Sequence, residues 1–168
     1  MQRRTLFKLG VASAAVFALG GGVAALMQAG LRNGKLDEAG REVFRAVGRA
    51  VLQGSLPADD AARQVALDDL LGRIDELTLA LPTHAQDELS QLLSLLASAP
   101  GRHLMAGLSQ AWPVASDADI QLALQGMRLS ALALRQQAYA ALHDITTAAY
   151  FTDASTWPQL GYPGPPKL

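Results

Sequence analysis

Apolar residues recur at helical spacing from residue 36 onward, and this pattern constrains the fold more than any other feature. One stripe comprises Val43, Phe44, Val47 and Val51, at positions i, i+1, i+4 and i+8. Similar stripes run from Val65 to Leu81 and from Leu89 to Leu96. Alanine and leucine supply most of the hydrophobic residues, and aromatic residues make up only 5% of the chain, which favours helices over strands.

Proline, glycine and capping residues divide these stripes into separate helices. No alternating strand-like run of useful length interrupts them, so the sequence predicts an all-α bundle of five or six helices with short connections. The first predicted helix covers 37–53, and the second starts near Pro57 and ends at Pro82. A Thr83–Gln86 capping box opens the third, which Ala99-Pro100-Gly101 closes, and a short helix follows at 102–110. After the Ser116 cap we predict two helices, 117–125 and 127–148, separated at Gly126.

The amino terminus has the pattern of an export signal. Paired arginines precede an uncharged run of 21 residues, Leu9 to Ala29. The signal residues are Arg3, Arg4, Phe7 and Lys8, in an order similar to the twin-arginine signal Arg-Arg-x-Phe-Leu-Lys, with Phe and Leu exchanged. The run is also just long enough to span a bilayer, so a retained membrane anchor remains an alternative to a cleaved signal. A buried helix of the fold is a further alternative. We assign residues 1–30 to an export-signal helix and predict a periplasmic protein exported by the twin-arginine pathway, associated with the inner membrane if the segment is retained.

Charge and cysteine content exclude several classes of function. Residues 31–168 carry 11 Lys/Arg against 15 Asp/Glu, and a mildly acidic body does not favour nucleic-acid binding. The chain has no cysteine, which excludes disulfides, Cys-ligated iron–sulfur clusters, zinc fingers and covalent haem attachment through Cys-x-x-Cys-His.

The residues that could carry catalysis form no recognisable motif. His84, His103 and His143 lack the spacing of a metal-binding helix face, and no Gly-x-Ser-x-Gly elbow is present. The carboxylate pairs Asp59/Asp60 and Asp68/Asp69 are explained by helix first turns and solvated faces. We therefore predict no catalytic, cofactor-binding or metal site on this chain.

The last nineteen residues, YFTDASTWPQLGYPGPPKL, differ from the rest of the chain. They hold four of its nine aromatic residues and four of its eight prolines, which predicts an extended segment at 150–168 rather than a helix, after a helical body at 31–149. Trp157 and Tyr162 are anchors of the kind found at interfaces. The residues leave open whether the segment packs on its own bundle, contacts a partner, or does both. Its candidate anchors are Tyr150, Phe151, Asp153, Trp157, Gly161, Tyr162, Pro163, Gly164 and Pro165.

The twin-arginine leader together with the ending Tyr-Phe-Thr-Asp … Trp … Gly-Tyr-Pro-Gly-Pro resembles the gluconate 2-dehydrogenase subunit 3 family. The resemblance implies a non-catalytic small (gamma) subunit of a membrane-associated, periplasmic sugar or alcohol dehydrogenase complex. In such complexes a large flavoprotein of the glucose–methanol–choline (GMC) oxidoreductase type carries FAD and the catalytic base, and a multihaem cytochrome c subunit often accepts the electrons. The implied partners are thus the flavoprotein, in some complexes a cytochrome c subunit, and the twin-arginine (Tat) translocase.

The resemblance further implies that the small subunit supports the export, maturation or stability of the flavoprotein, with no cofactor of its own. A flavoprotein that acquires FAD in the cytoplasm must cross the membrane folded, and a twin-arginine signal on a small subunit permits this. The alternative from the residues alone is a stand-alone exported or membrane-anchored helical scaffold with no dehydrogenase partner. A small enzyme with an unrecognised site is a third, weaker interpretation.

Overall fold

The computed structural model describes residues 29–162, except for the side chains of Gln159 and Leu160. Over this range the chain is a helical bundle, which confirms the predicted all-α fold. The elements in chain order are β1 (Leu31–Arg32), β2 (Lys35–Leu36), α1 (Glu38–Val51), α2 (Asp60–Leu79), α3 (Thr83–Ala97), α4 (Ala99–Ala106), α5 (Asp117–Arg128), α6 (Ala133–Phe151) and a 3₁₀ helix (Ala154–Leu160).

Helix α1 lies at the centre of the bundle and contacts α2, α3, α5 and α6. Its predicted apolar stripe is buried, with Val43, Phe44 and Val47 fully shielded from solvent. Its N-cap is Asp37, whose carboxylate accepts a hydrogen bond from the amide of Glu38 at 2.9 Å. At Gly48 a Cβ would lie 2.8 Å from Cδ2 of Leu70, so glycine permits the close approach of α2.

A small β-hairpin with two residues in each strand precedes α1. The sequence did not predict this hairpin. Leu31 pairs with Leu36 across a turn in which Asn33 and Gly34 have φ values of 54° and 76°, as an Asn-Gly hairpin turn requires. The strands are too short to show an alternating pattern. Gly30 also belongs to the folded body, because its carbonyl accepts a hydrogen bond from the amide of Asp37 at 3.0 Å. This hydrogen bond ties Gly30 to the start of α1.

The carboxylate of Asp75, in α2, holds this hairpin against the bundle. Its Oδ1 accepts a hydrogen bond from the amide of Leu36 at 2.7 Å, and its Oδ2 pairs with Nη2 of Arg41 at 2.5 Å. Thr78 adds a hydrogen bond from its hydroxyl to the carbonyl of Gly34 at 2.7 Å. One face of α2 thus holds both the hairpin and the start of α1, whose contacting residues lie 34 to 44 positions earlier in the chain.

Several predicted helix ends are wrong by a few residues, for identifiable reasons. Helix α2 begins at Asp60 rather than Pro57, because Asp59 is the residue that caps it, through the amide of Ala62. No capping box forms at Thr83, since the N-cap is Pro82 without a side-chain cap. The Ser116 cap is confirmed by a hydrogen bond from the amide of Asp119 at 3.1 Å.

The corner between α3 and α4 is tighter than the sequence suggests. Ala99, Pro100 and Gly101 form the first turn of α4 instead of ending α3, since proline suits a helix first turn. Ser98 caps α4 by accepting a hydrogen bond from the amide of Gly101 at 3.1 Å.

The break between the last two long helices was also misplaced. Gly126 remains inside α5, and the chain turns at residues 129–132 instead. A single glycine costs a helix only about 1 kcal/mol, which packing of the neighbouring buried residues can offset.

Residues 150–162, the described part of the predicted extended ending, are helical rather than extended. Residues Tyr150 and Phe151 complete α6, and Ala154–Leu160 form a 3₁₀ helix that contains Pro158. The prediction that proline forbids helix here is wrong because the fixed φ of proline fits 3₁₀ dihedral angles, and only one hydrogen bond of a short helix is lost.

Candidate functional site

We call residues 150–162 the C-terminal segment; they contain most of the predicted anchor residues. The segment follows α6 and is tied to α2 by an ion pair in which Nη2 of Arg73 lies 2.9 Å from Oδ2 of Asp153. Both side chains are partly shielded, with relative exposures of 25% and 32%. Because the two residues are 80 positions apart, this pair fixes the path of the chain as it leaves the last long helix.

Asp153 also begins the 3₁₀ helix. Its Oδ1 accepts a hydrogen bond from the amide of Ser155 at 2.9 Å. The hydrogen bond from that amide is the largest cause that lowers the pKa of Asp153 below its ordinary value, and the hydroxyl of Ser155 is the second. Partial desolvation raises the pKa by less, and the positive charge of Arg73 adds the smallest lowering. Asp153 is therefore held as a carboxylate that orients the segment.

Tyr150 and Phe151 are anchors to the bundle itself. Tyr150 is buried, and its hydroxyl donates a 2.8 Å hydrogen bond to the carbonyl of Ser55, in the loop between α1 and α2. Phe151 is half-buried and meets the Tyr150 ring edge to face, with centroids 5.1 Å apart. Both rings therefore serve the fold, and the part of the segment that remains accessible lies further along the chain.

Trp157 and Tyr162 form an aromatic pair at the surface. Trp157 is half-buried and donates from Nε1 to the carbonyl of Phe151 at 2.9 Å, which fixes its orientation on the chain's own helix end. Tyr162 is 47% exposed, and its ring centroid is 5.4 Å from that of Trp157. The positive φ of Gly161, 69°, turns the chain so that Tyr162 returns onto Trp157.

A shallow depression of about 220 Å³ opens beside this pair. It is lined by Ala154, Trp157, Pro158, Gly161 and Tyr162. Its lining is mainly apolar and contains no ionisable group apart from the tyrosine hydroxyl. Such a surface suits the insertion of an apolar side chain from another protein. The tyrosine hydroxyl is the one group in its lining that could take part in general acid–base chemistry.

The remaining predicted site residues lie outside the described part of the chain. They are Arg3, Arg4, Phe7 and Lys8 of the export signal, and Pro163, Gly164 and Pro165 of the ending. Conversely, sequence reasoning missed Arg73 and Ser55, which hold the C-terminal segment. No local pattern marks either residue, because their partners are distant in sequence.

Three polar side chains of the bundle, His143, Ser90 and Ser98, have partners within residues 29–162. His143 stacks on Tyr139 with centroids 5.4 Å apart, and its Nδ1 lies 3.1 Å from Asp144. Ser90 accepts a hydrogen bond from the amide of Leu31 at 3.0 Å, and Ser98 caps α4. In this range no three His, Asp or Glu side chains come together as metal ligands would.

A second depression, of about 240 Å³, lies between α1, α5 and α6. Val51 and Leu124 form apolar parts of its wall, and Gln121, Gln125, Tyr139 and His143 supply polar groups. The amide of Gln121 is already used, because its Nε2 donates to the carbonyl of Ala50 at 3.2 Å and to Gln53. This crease is open, and the ionisable side chains in its lining are Tyr139 and His143.

Across residues 29–162, no helix combines the length and hydrophobicity needed to cross a membrane. No family model, no curated protein and no solved structure matches the chain.

Proposed function

We propose that the protein is a non-catalytic accessory subunit of a periplasmic, membrane-associated FAD-dependent dehydrogenase of the GMC type, acting on a sugar or an alcohol. In this role it supports twin-arginine export, maturation or stability of the flavoprotein. FAD and the catalytic base belong to the partner, and haem c to a third subunit where one exists. The proposal draws on the leader, the ending of the sequence and the architecture of the C-terminal segment.

The observation that carries the proposal is the way the bundle presents Trp157 and Tyr162. The Arg73–Asp153 ion pair and the Tyr150–Ser55 hydrogen bond hold the segment in place. The hydrogen bond from Trp157 to Phe151 orients the indole. An aromatic pair that is ordered before binding loses little conformational entropy on association, which favours its use as a docking anchor.

This arrangement supports a C-terminal segment that both packs on its own bundle and contacts a partner. Its first half packs on the chain's own bundle, whereas its second half keeps an exposed tyrosine and an open apolar depression. The stand-alone scaffold accounts for the first half only.

The first test is co-purification. We expect the full chain, co-expressed with a flavoprotein encoded beside it, to elute with that flavoprotein as one FAD-containing complex. Trp157→Ala should weaken the complex about tenfold or more, since truncating an interface aromatic typically has this effect, with helix content unchanged. Val65→Ala, on the exposed face of α2, is the matched control. Recovery of free monomer alone would contradict the proposal.

The second test concerns export. Arg3→Lys combined with Arg4→Lys should leave both this chain and its flavoprotein in the cytoplasm, measured by fractionation and FAD fluorescence. The control replaces Arg32 and Lys35 in the hairpin, which keeps the number of substitutions equal. A flavoprotein that still reaches the periplasm would contradict the escort role.

A further inference from the structure

Gly30, the residue that directly follows the uncharged run Leu9–Ala29, is built into the bundle. Ala29 is exposed, whereas Gly30 is buried. A Cβ at position 30 would lie 2.5 Å from the carbonyl oxygen of Ser90 and would collide with the side chain of Leu93, so the backbone lies directly on α3. The chain thus changes from exposed to buried between two consecutive residues.

Hydrogen bonds to both α1 and α3 hold the backbone at positions 30 and 31. The carbonyl of Gly30 accepts one from the amide of Asp37, the N-cap of α1, at 3.0 Å. The amide of Leu31 donates one to Oγ of Ser90 at 3.0 Å, and Leu31 pairs with Leu36 in the hairpin. Residues 30 and 31 must therefore leave these partners before they can enter the cleft of another protein.

Position 30 is the first residue that would follow a leader-peptidase cut at the end of the apolar run. Such peptidases read small residues at the first and third positions before the cleaved bond. Met27-Gln28-Ala29 places alanine at the first of these positions, so a cut there would separate Ala29 from Gly30. Cleavage requires an accessible segment on both sides of the bond, and folded structure that holds the segment must first open locally.

We propose that the fold itself blocks removal of the leader, so that residues 1–29 stay attached as a membrane anchor. A protein that crosses the membrane folded meets the peptidase with Gly30 already in place between α1 and α3. The inference rests on the proposed function for export, and it adds how the complex is held at the inner membrane.

The length of the apolar run also favours retention. The run has 21 uncharged residues, whereas the apolar region of a cleaved signal peptide has about 7–15, and about 20 are needed to span a bilayer. Triplets of small residues further upstream, such as Gly22-Val23-Ala24, fall inside this run rather than at its end. The site at the end of the run is the one that the bundle covers.

Leader peptidase added to the purified, folded full chain in detergent tests the inference without requiring export. Met27→Ala places small residues at both recognition positions, and we expect neither wild type nor this variant to be cut after Ala29. Insertion of about six Gly/Ser residues between Ala29 and Gly30 of the Met27→Ala chain gives a linker variant. Its cleavage should be about tenfold faster or more, because the bond then lies outside the folded body. Intact mass and amino-terminal sequencing identify the products.

Two serine variants of α3 form a matched pair in the Met27→Ala chain. Ser90→Ala removes the hydroxyl that accepts the hydrogen bond from Leu31, so it should speed cleavage after Ala29 about threefold or more. Ser94→Ala removes a hydroxyl that donates to the carbonyl of Ser90 within the same helix, and it should leave the rate unchanged. Circular dichroism checks that both variants are folded.

The outcomes separate this inference from the proposed function. Cleavage of folded wild type or of Met27→Ala at the rate of the linker variant would overturn the inference, and so would a linker variant that is not cut. If an exported chain that begins at Gly30 or inside the apolar run co-purifies with the flavoprotein, the inference fails and the proposed function stands. If the leader is intact, the folded chain resists the peptidase and no flavoprotein accompanies it, the inference stands and the proposed function fails.

Discussion

Single polar side chains connect distant parts of this protein. Asp75 serves the hairpin and α1 together, and Asp153 serves both α2 and the 3₁₀ helix. Each carboxylate accepts one backbone amide and one guanidinium. Such a group is costly to replace, because its loss leaves a partner without a hydrogen bond.

Asp153 gives a pH-dependent prediction at the residue scale. Its pKa is lowered in the folded protein, so the carboxylate stabilises the fold above the ordinary aspartate pKa of about 3.9, and this contribution is lost as pH falls through the lowered value. Asp153→Asn should therefore lower the thermal midpoint at neutral pH. The difference from wild type should shrink below about pH 4 and vanish in stronger acid.

The measurement is a series of thermal unfolding curves from neutral to strongly acidic pH. Asp69→Asn is the matched control, because Asp69 is exposed and has no ion pair among the residues described. A difference for Asp153→Asn that does not change with pH would show that its charge is not what matters.

At the scale of elements, the junctions between helices specify this fold more tightly than the helices themselves. A helix at Ala99–Ala106 could by itself leave α3 at many different angles. Ser98 and Gly101 fix the turn, because the Cβ of any larger residue at 101 would lie 2.0 Å from the carbonyl oxygen of Leu95. The α3–α4 corner therefore depends on a glycine that sequence periodicity does not identify.

Two glycine substitutions of the same type should have opposite effects. Gly101→Ala is expected to destabilise the protein by about 1–3 kcal/mol, since the backbone of α3 must move. Gly72→Ala, in the middle of α2 with nothing within 4 Å of its Cβ position, should stabilise it by about 0.5–1 kcal/mol. Urea denaturation curves measure both free energies of unfolding. Equal effects would contradict the packing argument.

For the molecule as a whole, one hydrophobic core links α1 to the helices around it. This core includes Leu142 of α6 and Trp112 of the α4–α5 connection, whose Nε1 donates to the carbonyl of Leu96 at 2.8 Å. The C-terminal segment joins the same body through Tyr150. Residues 30–162 are therefore expected to unfold together.

Leu142→Ala tests this cooperativity. It should destabilise the protein by about 2–5 kcal/mol by opening a cavity, whereas Leu122→Ala, at an exposed residue, should change stability by less than about 0.5 kcal/mol. Circular dichroism and the fluorescence of the two tryptophans should report the same transition midpoint. An earlier transition seen only in fluorescence would mean that the C-terminal segment unfolds separately.

The sequence by itself determined the helical class, the buried stripe of α1 and the Ser116 cap. These depend on interactions between residues close in the chain, which spacing and propensity reveal. It also singled out the aromatic residues of the C-terminal segment, because their composition departs from that of the bundle.

Only the tertiary structure decided where those residues point. Tyr150 turns inward because a carbonyl from Ser55, 95 residues away, accepts its hydroxyl, and Asp153 is held by Arg73 of another helix. Trp157 and Tyr162 are left at the surface by the turn at Gly161. Helical spacing gives the periodicity of an apolar face, but it does not give which neighbouring helices cover that face.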